Sequence, residues 1–444
     1  MVARGFRQRE GVDFFDTYSP CPLVSSIRLL TAIACDLDWD LCHFDAEQAF
    51  VQARLDEEVY IRLPQGCGAL SDKVVRLGRS LYGLKQASRT WHFHLMKGMK
   101  RLGFEQCAAD ACVFRLIENG KVTLIVIVHV DDIFCAGVKS RCARFGADLN
   151  QYVPISNLGE LRWYAGCRFS RDPVLGAITI LQQAVAERLV AKFGVTETKD
   201  IPMLVGLKLD EFDRDEPDVL HPFRSLVGSL MWLANQTRPD ILNAVRAVSR
   251  YSQAPKLVHW KAALHILMYV KGTSGYGITF QRDSQGPARL EVYSDSDFAS
   301  RETSRRSVSG VVVMCAGACV SFLSRTQQCV TLSSCEAEYV AMALGFKEGI
   351  FLRFLWQFFF PFRPMVRTFV YEDNVGAVHL ATYPATTPNS KHIDIRHHFL
   401  RERVSNGEFQ VVHVPSALQH ADFLTKPLPV DAFRRHRDFV MNIS

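Results

Sequence analysis

The sequence predicts a mixed α/β protein in which two α/β regions are joined by a helical region. Strand-like apolar runs alternate with helical patterns before residue 200, and the same alternation returns after residue 288. Between these regions, apolar residues at spacings of three and four predict helices from Phe223 to Tyr269. A chain of 444 residues can form about two to four domains, so this division is reasonable in size.

The first α/β region contains a few clear elements. Residues 41–63 alternate between strand-like and helix-like patterns, and a helix is predicted from about Ser88 to Leu102, after the glycine of "SLYGLKQ". The apolar run "VTLIVIVHV" predicts a buried strand. The polar, acidic stretch "TKDIPMLVGLKLDEFDRDEPD" predicts an exposed loop or linker before the helical region.

The second α/β region begins after the glycines of "KGTSGYGITF". Strands are predicted at "ARLEVYSDSDFAS", "SGVVVMCAGACVSFLS" and "RTFVYEDN", and a long helix is predicted from about Ser334 to Phe358. Strands followed by a helix and another strand predict a separate α/β domain over about residues 288–430.

Composition is that of an ordinary globular protein, with 48% hydrophobic and 22% charged residues. The net charge of +6 suits a polyanionic partner without identifying one. The 13 cysteines form no C-x-x-C pair, which is typical of reduced core residues in an intracellular protein. The apolar run "IFLRFLWQFFFPF" is interrupted by charge, so it predicts the buried face of a helix and not a membrane anchor.

Two adjacent aspartates, Asp131 and Asp132, follow the apolar run "VTLIVIVHV". At a tight hairpin both side chains can reach one cleft, and two close carboxylates stay ionised together only where cations neutralise them. Hard oxygen ligands at a strand end suit magnesium. The alternative for an isolated Asp-Asp pair is a turn that is merely solvated.

A third aspartate favours the metal site over the solvated turn. Asp45, in "DLCHFDAEQAF", also ends a short apolar segment. Two strands that bring Asp45 beside Asp131 and Asp132 would form a carboxylate cluster able to hold two metal ions on a transferring phosphoryl group. The sequence therefore predicts a divalent metal site that brings these three residues together.

Motifs along nearly the whole chain resemble, in order, those of reverse transcriptases from copia-type LTR retrotransposons. The polymerase part contains "FDAEQAF", "SLYGLKQASRTW" and "VHVDDIFCAG", and the connecting part contains "SLVGSLMWLANQTRPDI". The ribonuclease H part contains "YSDSDFAS", "LSSCEAEYVAMA", "YEDN", "SKHIDIRHHFLRE" and "HADFLTKPL". The resemblance implies right-hand polymerase fingers and palm over 1–200, a thumb or connection over 201–287, a ribonuclease H-like domain over 288–430 and a tail over 431–444.

The resemblance implies roles in polymerisation for several residues. Asp45, Asp131 and Asp132 would be the metal carboxylates, with Asp45 and Asp131 as bridging ligands. Phe50 matches the aromatic residue that stacks under the incoming sugar and excludes a ribose 2′-hydroxyl, although ordinary core packing is its alternative. Gln86 matches the segment that lies beside the nascent base pair and template.

Two basic residues near Gln86 complete the expected substrate contacts. Lys85 and Arg89 would contact phosphates, although solvated surface positions are their alternative. The segment "LGELRWYAG" is similar to the region that holds the primer terminus.

The ribonuclease H part carries a second set of carboxylates on four elements: Asp295, Glu338, Asp373 and Asp422. In the family these residues hold two metals that activate water and stabilise the leaving 3′-oxygen. The implied cofactors are therefore Mg²⁺ or Mn²⁺, two per active site. Three neighbouring acids compete for the same roles: Asp297, Glu336 and Glu372. Glu338 is preferred to Glu336 because the two lie about 200° apart around their helix.

Histidines and arginines of this part are further candidates for contact with the substrate. Three histidines lie in "SKHIDIRHHF": His392, His397 and His398. Without convergent cysteines, they are expected to be structural or to face substrate and not to bind zinc. Three arginines follow Asp295: Arg301, Arg305 and Arg306. They would touch the backbone of a hybrid, or they lie in a solvated loop.

The implied partners are an RNA or DNA primer-template, an RNA–DNA hybrid and deoxynucleoside triphosphates, with no membrane. The sequence departs from the family at His129, where a tyrosine is usual, and at Ser88, where a proline is usual. The resemblance begins inside the fingers, so we expect a segment of a longer polyprotein without the basic stretch that holds the triphosphate. The alternative function is a truncated, catalytically inactive relic that at most binds nucleic acid.

Overall fold

The computed structural model describes residues 2–213, 215–282, 289–300, 304–365, 367–383 and 394–443, with only the backbone described for 394–397. The chain divides into two compact units. The first contains residues 1–30, 39–165 and 355–363, and the second contains residues 31–38, 166–354 and 364–444.

The first unit is built from nine short strands and the helices between them. Its strands are β1 (Asp40–Ala46), β2 (Tyr60–Arg62), β3 (Val74–Arg76), β4 (Glu105–Gln106), β5 (Val113–Glu118), β6 (Lys121–His129), β7 (Asp132–Gly137), β8 (Ile155–Glu160) and β9 (Trp163–Tyr164). Its helices are α1 (Val24–Asp36), which begins in this unit, α2 (Ala49–Gln52), α3 (Ala87–Arg101) and α4 (Lys139–Asn150). Six strands form one sheet in the order β4-β5-β6-β7-β1-β8.

The centre of this sheet is buried because its strands are almost entirely apolar. In β6, residues 124–128 are all buried, so side chains on both faces of the strand are covered. Trp91 and Leu95 of α3 and Phe145 and Leu149 of α4 pack into the same apolar core. The predicted strand and the predicted helix at Ser88–Leu102 are therefore confirmed, the helix one residue earlier at each end.

The second unit begins with a helical region and a small sheet. Its first elements are β10 (Cys167–Arg171), β11 (Ile178–Leu181), α5 (Gln183–Lys192), α6 (Phe223–Gln236), α7 (Pro239–Ser249), α8 (Leu257–Gly272) and β12 (Gly277–Phe280). Strands β10, β11 and β12 pair consecutively and antiparallel. The three helices α6 to α8 confirm the predicted helical region, and the described residues between α5 and α6 contain no helix or strand, as the acidic stretch predicted.

A five-stranded sheet and its helices complete the second unit. These elements are β13 (Leu290–Asp297), β14 (Val308–Cys315), β15 (Ala318–Thr326), α9 (Ser334–Phe359), which ends in the first unit, β16 (Thr368–Glu372), α10 (Val375–Thr382), α11 (Asp394–Ser405), β17 (Phe409–His413) and α12 (Val430–Met441). The strand order is β15-β14-β13-β16-β17. Strand β13 is antiparallel to β14 and parallel to β16, so the sheet is mixed.

Helix α9 approaches the sheet closely because glycines lie on its inner face. A Cβ atom at Gly345 would lie 2.8 Å from Val292 Cγ1, and one at Gly349 would lie 2.9 Å from the Phe409 ring. The predicted helix from Ser334 to Phe358 ends one residue later, at Phe359. The close approach brings the middle turns of α9 against β13 and β17.

The mixed α/β class is confirmed, but the boundaries of the two units differ from the expected domains. Residues 166–282 form one compact unit with the five-stranded sheet. The C-terminal residues expected as a tail form α12, whose Phe433, His436 and Val440 are buried. Among the described residues, no helix is both long enough and apolar enough to span a bilayer.

Candidate active sites

The turn between β6 and β7 contains the adjacent aspartates. Val130 and Asp131 form a two-residue turn, and His129 pairs with Asp132 across the hairpin. Val130 has a φ of 60°, in the left-handed region that a β-branched residue rarely adopts. Its carbonyl accepts a hydrogen bond of 2.6 Å from the buried Trp91 indole. The Trp91 side chain of α3 therefore stabilises this turn. Asp132 is the first residue of β7.

Strand β1 brings Asp45 to this turn. Asp45 pairs directly with Asp132, and the Ala46 amide donates a hydrogen bond of 2.9 Å to the Asp131 carbonyl. Residues directly opposite on antiparallel strands place their side chains on the same face of the sheet. The structure thus gathers Asp45, Asp131 and Asp132 at one end of the β1–β7 pair.

Negative charge is concentrated at this end of the sheet. Burial and then the charges of Asp131 and Asp132 raise the pKa of Asp45. Burial and then the charges of Asp131 and Asp45 also raise the pKa of the nearby Tyr82 phenol. His43 Nε2 lies 3.2 Å from Asp132 Oδ1. Because like charges oppose ionisation, this arrangement favours a bound cation.

Phe50 lies in the short helix that follows β1. Its ring is half-buried, packs against two apolar clusters of the first unit and lies 4.7 Å from the Tyr82 ring, measured between centroids. The helix begins after Gln48, which has a φ of 49°. Phe50 and Tyr82 therefore form an aromatic pair beside the three aspartates. The half-buried Phe50 ring is also packed against the core, as its alternative role predicts.

Gln86 is fully buried, and its carboxamide is occupied within the protein. Its Oε1 accepts a hydrogen bond of 3.0 Å from Gln8 Nε2, and its Nε2 donates one of 2.9 Å to the Asp13 carbonyl. These bonds tie the start of α3 to the N-terminal segment. In this conformation the Gln86 side chain binds the N-terminal segment and is inaccessible to solvent.

The two basic residues near Gln86 differ in their surroundings. Lys85 is exposed, and its Nζ lies 4.6 Å from the centre of the Phe14 ring. Arg89 forms an ion pair of 3.3 Å with Asp16. Both side chains have solvent access, so either can exchange its present contact for a phosphate.

A second carboxylate cluster lies on the five-stranded sheet. Asp295 is near the end of β13, Glu338 is in the first turns of α9, and Asp373 follows β16 directly. One carboxylate oxygen from each of the three lies within 4.8 Å of the others. Asp295 and Glu338 are buried and Asp373 is half-buried, so the cluster opens to solvent on the side of Asp373. As a trio, Asp45, Asp131 and Asp132 do not meet this 4.8 Å limit among the described residues.

Asp422 joins this cluster through a lysine. Lys426 Nζ lies 3.0 Å from Asp422 Oδ1 and 3.9 Å from Asp295 Oδ2. Thr425 Oγ1 donates a hydrogen bond to Asp295 Oδ2 and lies 2.8 Å from the Asp422 carbonyl. The segment "DFLTK" therefore supplies a carboxylate, a hydroxyl and an ammonium group to one side of Asp295.

The acids of the cluster resist ionisation. Burial and then the charge of Asp422 raise the pKa of Asp295 to about 7. Burial and then the charge of Glu372 raise the pKa of Glu338 well above its ordinary value. Burial likewise raises the pKa of Asp422, and the Lys426 ammonium acts against this rise. A divalent cation would remove this repulsion, as it does in sites built from close carboxylates.

One buried atom supports a fit to metal directly. Glu338 Oε2 is inaccessible to solvent and has no hydrogen-bond partner among the described residues. A buried carboxylate oxygen without a partner costs free energy, whereas a hard divalent cation would satisfy it. The residues present therefore suit Mg²⁺ or Mn²⁺.

The competing acids have other contacts. Glu336 Oε2 accepts a hydrogen bond of 2.7 Å from the Leu332 amide just before α9. Glu372 is fully buried and accepts hydrogen bonds from the Ser294 hydroxyl and the Asn374 amide. Burial, opposed by a hydrogen bond from Ser300 and the charge of Lys426, raises the pKa of Asp297. Glu372 is thus close enough to perturb Glu338 without belonging to the trio.

The expected histidine and arginine contacts are only partly described. Arg301 and His392 lie outside the described residues, as does the side chain of His397. His398, Arg305 and Arg306 are exposed. Thr425 and Lys426 were not expected in the site, although Lys426 lies four residues after Asp422 within the motif "HADFLTKPL".

Three cysteine sulfurs also meet in the first unit. One Sγ each from Cys42 on β1, Cys135 on β7 and Cys142 on α4 lie within 4.8 Å of one another. Burial raises the pKa of the Cys135 thiol. Cys135 and Cys142 belong to the apolar core, and Cys42 packs against it, so we assign the three thiols to core packing.

Comparison with known proteins places this geometry in a family. Residues 1–205 match the family described as reverse transcriptase (RNA-dependent DNA polymerase). The chain is 33% identical to the retrovirus-related Pol polyprotein from transposon TNT 1-94 of Nicotiana tabacum, over 99% of this chain and 34% of that protein. This chain belongs to the copia-type reverse transcriptases. The predicted family is confirmed.

Two further relatives of this copia-type chain come from Arabidopsis thaliana. The Pol polyproteins from transposons RE1 and RE2 are 33% and 32% identical, each over 98% of this chain and 30% of the relative. The chain therefore spans about a third of the length of each of these three relatives.

Solved structures align only weakly with the whole chain. LC11-RNase H1 in complex with an RNA/DNA hybrid is 17% identical over 31% of this chain and 94% of that chain, with a TM-score of 0.24. The foamy viral protease-reverse transcriptase in complex with dsDNA is 12% identical over 87% of this chain and 69% of that chain, with a TM-score of 0.23. At these TM-scores the alignments establish no shared fold.

Proposed function

We propose that this chain is an RNA-directed DNA polymerase with ribonuclease H activity, and that both reactions use two divalent metal ions per active site. The observation that carries the proposal is the trio Asp295, Glu338 and Asp373, in which one carboxylate oxygen from each lies within 4.8 Å of the others, together with the Glu338 Oε2 atom that has no hydrogen-bond partner among the described residues. Membership of the reverse transcriptase family supports the polymerase half.

In the ribonuclease H site, Asp295, Glu338, Asp373 and Asp422 would hold Mg²⁺ or Mn²⁺. Bound metals would supply an activated water and stabilise the leaving 3′-oxygen of the RNA strand. Asp373 is the most exposed of the trio, so it lies where a phosphodiester can approach. The Lys426 ammonium lies within 4 Å of both the Asp295 and Asp422 carboxylates and lowers the pKa of each, which favours the ionised form that metal binding requires.

In the polymerase site, Asp45, Asp131 and Asp132 would hold the metals that contact the incoming deoxynucleoside triphosphate. Phe50, supported by the Tyr82 ring, would contact the sugar and exclude a 2′-hydroxyl. The metals would stabilise charge on the transferring phosphoryl group.

In the proposed polymerase, basic residues with solvent access are the candidates for contact with the substrate. Lys85 and Arg89 have solvent access and would bind phosphates of the primer-template. Gln86 is proposed to act as a positioning residue near the template, since its buried carboxamide holds the N-terminal segment against α3. The proposed partners are a primer-template and an RNA–DNA hybrid, which phosphate contacts would position without reading sequence.

Two assays on the full chain test the proposal. One measures extension of a DNA primer on an RNA template, and the other measures cleavage of the RNA strand of a preformed hybrid, both with Mg²⁺. We expect Asp131→Asn to abolish extension and preserve cleavage, and Asp373→Asn to do the reverse. Folded protein that binds the hybrid but performs neither reaction would instead support the inactive relic.

A further inference from the structure

A basic cavity of about 380 Å³ lies in the first unit and is lined by none of the three polymerase aspartates. Its cationic and imidazole groups come from a loop, a strand connection and α3: Arg54, Arg79, His94 and Lys97. Phe93 and Tyr152 also line it. Gln52, at the end of the helix that carries Phe50, contributes to one wall.

Two arginines of this cavity face each other across paired backbone. Arg54 and Arg79 form an antiparallel β-bridge, held by a hydrogen bond of 2.9 Å from the Ser80 amide to the Ala53 carbonyl. Arg79 Nη1 lies 3.4 Å from each of the Val51 and Gln52 carbonyls. Like charges directly opposite each other on paired strands are destabilising. An anion between the two guanidinium groups would reverse this cost.

The charges around this arginine pair remain mostly positive. Within the described part of the chain, Arg54 and Lys97 form no ion pair, and Asp56 is the only acid among the lining residues. Burial and then the charges of Lys97, Arg79 and Arg101 lower the pKa of His94. The cavity therefore attracts anions, and the arginines carry this attraction at every physiological pH.

Exposed aromatic rings distinguish this cavity from a simple phosphate pocket. Phe93 is 40% exposed and Tyr152 is 38% exposed, although both are large apolar side chains. The Arg89 guanidinium lies 4.9 Å from the Phe93 centroid, and the Arg101 guanidinium lies 5.5 Å from the Tyr152 centroid. Cations interleaved with exposed rings are typical of surfaces that bind single-stranded nucleic acid through phosphates and stacked bases.

We propose that the Arg54–Arg79 cavity binds the unpaired 5′ extension of the template strand. The two arginines would clamp a backbone phosphate, and Phe93 and Tyr152 would stack on unpaired bases. This inference rests on the proposed polymerase function, because it assigns a part of the primer-template to the cavity. The position of Gln52 links the cavity to the helix of Phe50, and hence to the nucleotide site.

Fluorescence anisotropy on the full chain tests this assignment with two labelled DNA hairpins. One hairpin is blunt, and the other has the same duplex with a short 5′ single-stranded extension. We expect the extension to tighten binding roughly tenfold and the double variant Arg54→Ala/Arg79→Ala to lose this gain while it still binds the blunt hairpin. The slope of log K against log salt should fall by about 0.7 for the extended hairpin, from the loss of one phosphate contact on a single strand.

A charge-matched control separates the cavity from general electrostatics. Lys139→Ala/Arg144→Ala removes two exposed positive charges from α4 and should preserve the gain from the extension. Tyr152→Ala should weaken binding of the extended hairpin by about tenfold without changing its salt slope, because stacking is not ionic.

Three outcomes would overturn the inference. If the wild-type chain binds both hairpins equally, the cavity assignment fails while the proposed polymerase stands. If the control double variant loses the gain as fully as the arginine variant, general charge and not the cavity is responsible. If the wild-type chain binds neither hairpin, both the inference and the proposed function fail.

Discussion

Asp45 and Asp132 lie directly opposite each other on neighbouring antiparallel strands, with Asp131 in the adjacent turn. Burial and the two neighbouring carboxylates raise the pKa of Asp45. Opposed like charges on a sheet reduce stability unless a cation neutralises them. The pairing therefore lowers the stability of the metal-free protein and provides a site that can bind a cation.

We predict that Asp45→Asn stabilises the metal-free chain while it abolishes primer extension. Removing one of the opposed charges should raise the free energy of unfolding by about 0.5 kcal/mol in EDTA. Urea denaturation measures this change, with Glu160→Gln, an exposed acid on β8, as the control. Destabilisation by Asp45→Asn in EDTA would show that the three carboxylates do not repel one another.

The close contact of α9 with its sheet leads to a second prediction. Gly345→Ala would place Cβ 2.8 Å from Val292 Cγ1, so it should lower the free energy of unfolding by about 1–3 kcal/mol. Gly228 in α6 is the matched control, because no atom lies within 4 Å of its Cβ position. Gly228→Ala should stabilise by about 0.5–1 kcal/mol. Thermal or chemical denaturation that finds both changes neutral would refute the packing described for α9.

Much of the fold follows from local sequence patterns. The alternation of strand and helix patterns predicted the α9 helix to within one residue, and the continuous apolar run predicted β6, because most residues of both elements are buried. The aspartates were found because charge inside an apolar run has few explanations. Family motifs then supplied Glu338 and Asp422, which no local pattern distinguishes from neighbouring acids.

Other features depend on contacts that the sequence does not encode locally. The opposition of Arg54 and Arg79 requires the register of two distant segments. Gln86 was expected near the template, but whether its carboxamide is free depends on Gln8 and the Asp13 carbonyl, far away in sequence. The proximity of Lys426 to Asp295 likewise depends on how the last loop packs against β13.

Lys426 allows a prediction about the pH dependence of hybrid cleavage. Its ammonium lowers the pKa of both Asp295 and Asp422. Lys426→Met should therefore raise both carboxyl pKa values and move the acidic limb of the pH–rate profile up by about one pH unit. Lys426→Arg should restore most of the original profile, because the positive charge returns. An unchanged acidic limb in Lys426→Met would separate the lysine from the ionisation of the cluster.

Buried carboxylates also predict how pH changes stability without metal. The pKa of Asp295 is raised to about 7 and that of Glu338 is raised well above its ordinary value, so the folded chain binds more protons than the unfolded chain. Stability is then present below the unfolded pKa and is lost as pH rises through the folded pKa. We expect the thermal midpoint in EDTA to decrease as the pH rises from about 6.5 through about 7, the folded pKa of Asp295.

The lower limit of this window avoids an opposing effect from histidines. Burial lowers the pKa of His420 and His436 to about 4, which makes stability rise with pH until about pH 6.5, the value of unfolded histidine. Addition of Mg²⁺ should reverse the fall above pH 6.5, since metal binding requires ionised ligands. Asp295→Asn should reduce both the fall and the response to Mg²⁺. A midpoint that is independent of both pH and Mg²⁺ would contradict the electrostatics described for this cluster.

The most direct test of the proposed ribonuclease H site is the single-turnover rate at which the full chain cleaves the RNA strand of an RNA–DNA hybrid, measured with Mg²⁺ for wild type and Asp373→Asn. Asp431→Asn, an exposed acid at the start of α12, is the control. We predict metal-dependent cleavage that falls by at least about 100-fold in Asp373→Asn, since loss of one ligand disturbs the site that holds both metals, and that is unchanged in the control. Equal rates for wild type and Asp373→Asn, or no cleavage by folded wild-type protein with Mg²⁺ or Mn²⁺, would contradict it.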